Sequence, residues 1–206
     1  MTLAAQALLG ELDATLAQAS GSWRDGVLRK IADLFVSGAE FYTAEQVTLF
    51  DAVIDRLIVG MDSAQLAELS RKLAPIDNAP AKVIGSLARH ADVAVCGPIL
   101  EQATALADVE IVKIASDSRV DADRLAKIAA RRELSAAVTD ALLARGGKAI
   151  QHTIIAKQSA QISEAGFARV IMGLNGDKDL AAATAARNDV PPELRLWLAK
   201  VLDPQP

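Results

Sequence analysis

The sequence predicts an all-α fold, and three observations carry that prediction. Of 206 residues, 41 are Ala and 25 are Leu, against four Phe, two Trp and one Tyr. Ala and Leu are strong helix formers, whereas sheets draw on β-branched and aromatic side chains. Helix start signals precede successive apolar runs. Beyond about Pro75, apolar landmarks recur every 28 residues, at Leu106, Leu134, Ile162 and Val190. A fixed interval of that length is the mark of stacked helical units.

The elements follow in order. Met1 to Ala19 reads as an amphipathic helix with Leu8, Leu9, Leu12 and Leu16 on one side; it carries Glu11 and Asp13 and no Lys or Arg, unlike a signal segment. Ser22-Trp-Arg-Asp25 reads as an N-cap with an acidic third position, leading into Val27, Leu28, Ile31, Leu34 and Phe35, and Gly38 closes the segment. Thr43-Ala-Glu-Gln46 fits a capping box. The apolar stripe after it, from Val47 to Met61, is wide, so Gln46 to Gly60 is expected to be the buried central helix of an N-terminal bundle. Asp62 or Ser63 caps a fourth helix ending at Leu73 or Ala74, where Pro75 stops it. Residues 1–75 are thus expected to form the bundle and 76–206 a repeat region, packed as one continuous body.

Within the repeat region, Ala107, Ser135, Ser163 and Pro191 follow the landmarks as small or turn-forming residues. Eight residues beyond each landmark comes another apolar position, at Ile114, Leu142, Val170 and Leu198. The second helices align Ala126, Ile154 and Ala182, and two residues on Ile128, Ala156 and Thr184; small residues there, as at Ala126, Ala156 and Ala182, are expected to let helices approach. Between the two helices of a unit fall Asp117–Arg119, Gly146–Gly147 and Asn175–Gly176, which are turn signals. Ile162 before Ser163, with Phe167 beyond, fits a hydrophobic staple. A two-helix unit cannot bury its apolar face alone, so the units stack, as in an α-solenoid of the HEAT or armadillo kind, about four and a half units long and ending in a single capping helix, Pro192–Leu202.

Several phrases carry a family likeness: Leu49-Phe-Asp-Ala-Val-Ile-Asp-Arg-Leu57, Leu73-Ala-Pro75, Asp77-Asn-Ala-Pro80, Arg132-Glu-Leu-Ser135 with Thr139-Asp140, and Ile162-Ser-Glu-Ala-Gly-Phe167. Through them the chain, roughly from Thr43 to Leu202, resembles an uncharacterised bacterial family, domain of unknown function 2336, common in alphaproteobacteria. The resemblance implies helical repeats and a cytoplasmic bacterial setting. The family has no assigned activity, cofactor or catalytic residue, so it transfers none.

The residues themselves offer little chemistry. Cys96 cannot form an internal disulfide and reads as a small core residue, in a reducing, cytoplasmic setting. His90 and His152 with one thiol make no zinc set and no nucleophile–base pair of recognised spacing. Asp121 near Asp117 and Asp123 reads as a helix cap rather than a calcium loop, and Gly146-Gly-Lys148 as a turn rather than a phosphate loop. No catalytic residue, metal or cofactor is therefore assigned, and no membrane span is expected.

Charge is uneven: residues 1–75 carry 6 basic and 10 acidic side chains, residues 76–206 carry 16 of each. Basic residues concentrate at Arg119, Arg124, Lys127, Arg131 and Arg132, then Arg145, Lys148 and Lys157, and Arg124, Lys127 and Arg131 share one face of a second helix. Arg124, Lys127, Arg131 and Lys157, with Trp197 as a contact anchor, are the candidate partner-binding residues. The function expected is a non-enzymatic protein–protein interaction module or scaffold whose basic face receives an acidic segment of a protein partner. Two alternatives stand beside it. One is a nucleic-acid-binding repeat using that basic face, although the repeat region has no aromatic residue before Phe167 on which bases could stack. The other is a homodimer formed through Leu8, Leu12 and Leu16.

Overall fold

The computed structural model describes residues 21–202, together with Gly10, Glu11, Ala14, Thr15 and Gln18. Apart from those five residues, the opening helix expected over Met1 to Ala19 lies outside the described residues, as do Leu8, Leu12 and Leu16, through which dimerisation is expected. Among the described residues there are twelve α-helices and no strand; the single β-bridge pairs Leu134 with Ala160. The chain forms two compact units, Met1–Ala107 and Asp108–Pro206.

Unit 1 contains α1 (Gly21–Gly38), a 3-10 turn (Ala39–Phe41), α2 (Ala44–Leu57), α3 (Ser63–Leu73), α4 (Ala81–Ala88) and α5 (Val93–Gln102). Ser22 lies inside α1 and is not its cap. Thr43 and Gln46 form the expected capping box, with Thr43 N–H donating to Gln46 Oε1 at 2.8 Å and Gln46 N–H to Thr43 Oγ1 at 3.3 Å. Asp62, not Ser63, caps α3 in the same reciprocal way with Gln65. Gly38 closes α1 because Tyr42 folds over it: the hydroxyl donates to Leu34 O at 3.1 Å, and a Cβ on Gly38 would stand 2.6 Å from it. Phe35, Tyr42 and Phe50 then form an aromatic cluster with ring centroids 4.9–5.8 Å apart.

The helix expected at the centre of the bundle is not central. In α2 only Ile54 and Leu57 are buried, and Leu49 is 38% exposed. It packs on α1 and α4, whereas α3 packs on α1, α4 and α5 and buries Leu66, Ala67, Leu69, Ser70 and Leu73. A wide apolar stripe states what a helix has to cover; which neighbours arrive to cover it is decided elsewhere in the chain. Cys96 is fully buried in α5, which runs through Pro98 without ending.

Unit 2 contains α6 (Asp108–Ser116), α7 (Ala122–Ala129), α8 (Ala136–Arg145), α9 (Lys148–Ala156), α10 (Glu164–Met172), α11 (Lys178–Ala185) and α12 (Pro192–Leu202). The first helices of the successive units, α6, α8, α10 and α12, begin at residues 108, 136, 164 and 192, so the 28-residue interval is kept to the residue. Ile114, Leu142, Val170 and Leu198 are all buried, as are Leu106, Leu134 and Val190, while Ile162 is half-buried. Ser135 and Ser163 are N-caps, accepting from Val138 N–H and Gly166 N–H. The helices pack in two rows: α6 on α8, α8 on α10 and α10 on α12 in one, and α7 on α9 and α9 on α11 in the other.

The second-row register departs from the expectation. Ala126, Ala156 and Ala182 are exposed, so they are not the places where helices approach closely. The core positions are instead Leu125, Ile128 and Ala129 in α7, Ile150, Ile154 and Ile155 in α9, and Leu180, Ala181 and Thr184 in α11. The cause is turn length. Residues 117–121 and 173–177 separate the helices of their units, but Gly146 and Gly147 alone separate α8 from α9, which therefore starts two residues early in the period. Gly146 and Gly147 are an extended link with φ near −70°. The longer turn at Asn175 and Gly176 has left-handed φ values of 45° and 80°.

Candidate interaction surface

Arg124 and Lys157 sit at the ends of second-row helices, where backbone groups lack intrahelical partners. At the start of α7, Asp121 accepts from Arg124 N–H at 2.9 Å. The Arg124 side chain folds back onto the same region, donating from Nε to Asp121 Oδ2 at 3.1 Å and from Nη2 to Arg119 O at 2.8 Å. The backbone amide and guanidinium of Arg124 hold the Asp121 carboxyl below its ordinary range. Lys127 and Arg131 are half-buried. Burial lowers the guanidinium pKa of Arg131, and the Asp108 carboxylate offsets part of that effect.

Lys157, just past α9, points its amine at the C-terminal end of α7, donating to Ala129 O at 2.7 Å and to Arg131 O. A cation there satisfies orphan carbonyls and opposes the helix dipole. Two residues outside the candidate set do the same work. Arg145, the last residue of α8, donates to the carbonyls of Ala115, Asp117, Ser118 and Val120, gripping the α6–α7 turn. Arg187, after α11, is fully buried and donates to Ile155 O at 3.2 Å, Lys157 O at 2.7 Å and Ala160 O at 2.8 Å. Asp189 pairs with its guanidinium at 2.7 and 2.9 Å, which holds the Asp189 carboxyl low, and the Phe167 ring lies 5.9 Å from the guanidinium carbon.

Arg124 and Lys157 are thus placed against backbone and carboxylate groups of their own unit, with Lys157 directed at the chain segment that carries Arg131. The repeat phase held a signal for Arg187. Residues 131, 159 and 187 are equivalent, and Ser159 donates from Oγ to Arg132 O at 2.8 Å as Arg187 donates to Ala160 O.

The outer side of the first-helix row has a different character. The positions that share one side of α12 are Glu193, Leu196, Trp197 and Lys200, and Leu196 is 69% and Trp197 45% exposed. Their equivalents include Met172 of α10, 79% exposed, and Val109 of α6, 59% exposed. The same side of α8 presents Ala137, Asp140, Ala141 and Ala144. Arg195, at the phase of the buried Phe167, turns away to donate to Arg187 O and Asn188 O at 3.2 and 3.3 Å. Trp197 thus shares an exposed side of α12 with Leu196.

Other clusters are small. In unit 1 a shallow cleft between α1 and α3 is bridged by Lys72, 2.7 Å from Asp33 and 3.3 Å from Glu68. In unit 2 His152 Nε2 lies 3.0 Å from Asp177 Oδ2, while Asp177 Oδ1 caps α11 by accepting from Leu180 N–H at 3.0 Å. Among the described residues no group of three or more His, Cys, Asp or Glu side chains is placed to hold a metal ion, and no helix is long and apolar enough to cross a membrane.

Fold and surface together define an all-α protein of paired, phase-locked helices that presents side chains along helix rows. Residues 95–205 match the family model described as "Uncharacterised protein conserved in bacteria (DUF2336)", and the chain belongs to that family. The match includes the phrases at Arg132–Ser135, Thr139-Asp140 and Ile162–Phe167 but begins at Val95, so those at Leu49–Leu57, Leu73–Pro75 and Asp77–Pro80 fall outside it. No curated protein and no solved structure is significantly similar to the chain.

Proposed function

We propose that the protein is a non-enzymatic scaffold of HEAT/armadillo-like stacked repeats that binds protein chains in a cytoplasmic setting, and that the outer side of the first-helix row receives the partner. One observation carries the reading: large apolar side chains, Trp197, Leu196, Met172 and Val109, stand out from equivalent sides of α12, α10 and α6. Exposed apolar side chains gathered on one surface are characteristic of interaction sites, and Trp is the side chain most enriched among contact anchors. From the other row, Arg124 braces the turn before α7 and Lys157 ties the end of α9 to the end of α7, with Lys127 and Arg131 half-buried beside them. An acidic segment binding over that row is a second, less supported route. The nucleic-acid reading is weaker again, because a phosphate backbone would compete with the carbonyls that Lys157 already satisfies.

A photo-crosslinking side chain placed at 197 or 172, compared with one at the exposed second-row position 182, tests the proposal. Protein adducts from 197 and 172 and none from 182 are expected. Adducts from 182 alone, or adducts to nucleic acid, would discard the first-helix surface.

A further inference from the structure

We propose that the partner seated on the first-helix row is a second copy of this chain, packed face to face about a two-fold axis parallel to the helices. The inference rests on the reading just given and adds the occupant. Such an axis sets α6 against α12 of the second copy and α8 against its α10, with equivalent repeat positions at the same level along the helices. Because the four helices start 28 residues apart, the facing pairs follow from the phase.

Size matches along these pairs. Val112 comes level with Leu196 of the second copy, and the small Ala144 comes level with the protruding Met172. Charge matches as well. The ionised groups on this side are Lys113 with its partner Glu110, Asp140, Arg169, Glu193 and Lys200. Asp140 and Arg169 of the second copy are one residue apart in level. Lys113, which pairs with Glu110 of its own helix at 2.7 Å, comes level with Trp197, over whose ring a cation is favoured, and stands one helical turn, about 6 Å, from Glu193 of the second copy. Each pair occurs twice, as an isologous interface requires. A two-fold axis running across the helices instead would set every helix on its own copy and bring Lys113 and Arg169 towards their own duplicates, which like charges oppose. Size and charge together favour a second copy docked about this axis.

Light scattering on the full chain over a concentration series is the test. The mass should rise from one chain to two with increasing concentration. Trp197→Asp should weaken dimerisation about tenfold or more. Lys113→Glu should weaken it too, and Lys113→Glu combined with Glu193→Lys should restore it; because Lys113 also pairs with Glu110 of its own helix, circular dichroism of each variant separates a lost interface from a disturbed helix. A chain that stays monomeric up to about 1 mM overturns the second-copy assignment. So does a dimer indifferent to all three variants. Crosslinks from 197 to a different protein, with the chain monomeric, would leave the scaffold reading standing and remove only this inference.

Discussion

The two units hold their helices together by opposite electrostatic means. In unit 1 carboxylates and aromatic rings do the joining. Asp51, from α2, accepts from the N–H groups of Lys82 and Val83 at 3.0 and 2.9 Å, satisfying the start of α4, where Pro80 supplies no side-chain cap. In unit 2 cations do it: Arg145, Lys157 and Arg187 satisfy carbonyls of preceding turns and helix ends. Helix starts call for acceptors and helix ends for donors. The acidic excess of residues 1–75 and the added Lys and Arg beyond them therefore have a structural use before any partner is considered.

Breaking the cationic side of this contrast should have the largest effect. Arg187→Met removes the donor to three buried carbonyls and leaves Asp189 without its guanidinium. A loss of about 3–5 kcal/mol in urea unfolding is expected, since removing one partner strands the others. Lys157→Met should cost less, about 1.5–3 kcal/mol, because its amine serves two carbonyls at a half-buried site. If both variants unfold like the parent protein, the clamps are incidental.

Much of this was legible in the sequence, and the reason is locality. Thr43, Asp121, Ser135 and Ser163 act on backbone three residues away, so their capping roles can be read from a short window. The 28-residue phase is legible because each unit buries the same positions. What escaped reading depends on distant partners: α2 lost its central place to α3, and Arg187 reaches carbonyls 27 to 32 residues away. For the basic residues, composition shows a donor but not whether solvent or a neighbouring turn receives it. Lys157 stood in the candidate set for that reason, whereas Trp197, in the same set, is 45% exposed.

Steric closeness separates the repeat junctions next. A Cβ on Gly166 would stand 2.7 Å from Asp140 Oδ1, which already accepts from Ser163 Oγ at 2.8 Å. Gly166→Ala should thus destabilise by about 1–3 kcal/mol. Gly147, with open space around it, is the control and should tolerate Ala. On the acidic side, Asp51→Ala should cost about 1 kcal/mol, the ordinary value of an N-terminal cap. Equal melting of the Gly166 and Gly147 variants would show that the junction has room the geometry denies.

The smallest effect sharpens the contrast through pH. Asp117, Asp121, Asp177 and Asp189, all in unit 2, are held below the ordinary carboxylate value, Asp189 mainly by Arg187. In unit 1 the Lys72 amine is raised, first by Asp33. For a carboxylate lowered on folding, the unfolded chain binds more protons, so stability is present above the unfolded value near 3.8 and is lost as pH falls through the folded one. For Lys72 the stabilisation is present below the unfolded value of 10.5 and fades as pH rises through the folded one. Acid should therefore loosen unit 2 first, seen as earlier loss of hydrogen-exchange protection in α9–α11 than in α3. Asp189→Asn should flatten the acid limb and leave the alkaline limb unchanged. An acid limb of the same slope in that variant would mean that the Arg187 clamp works through its carbonyls alone, with Asp189 a bystander on the surface.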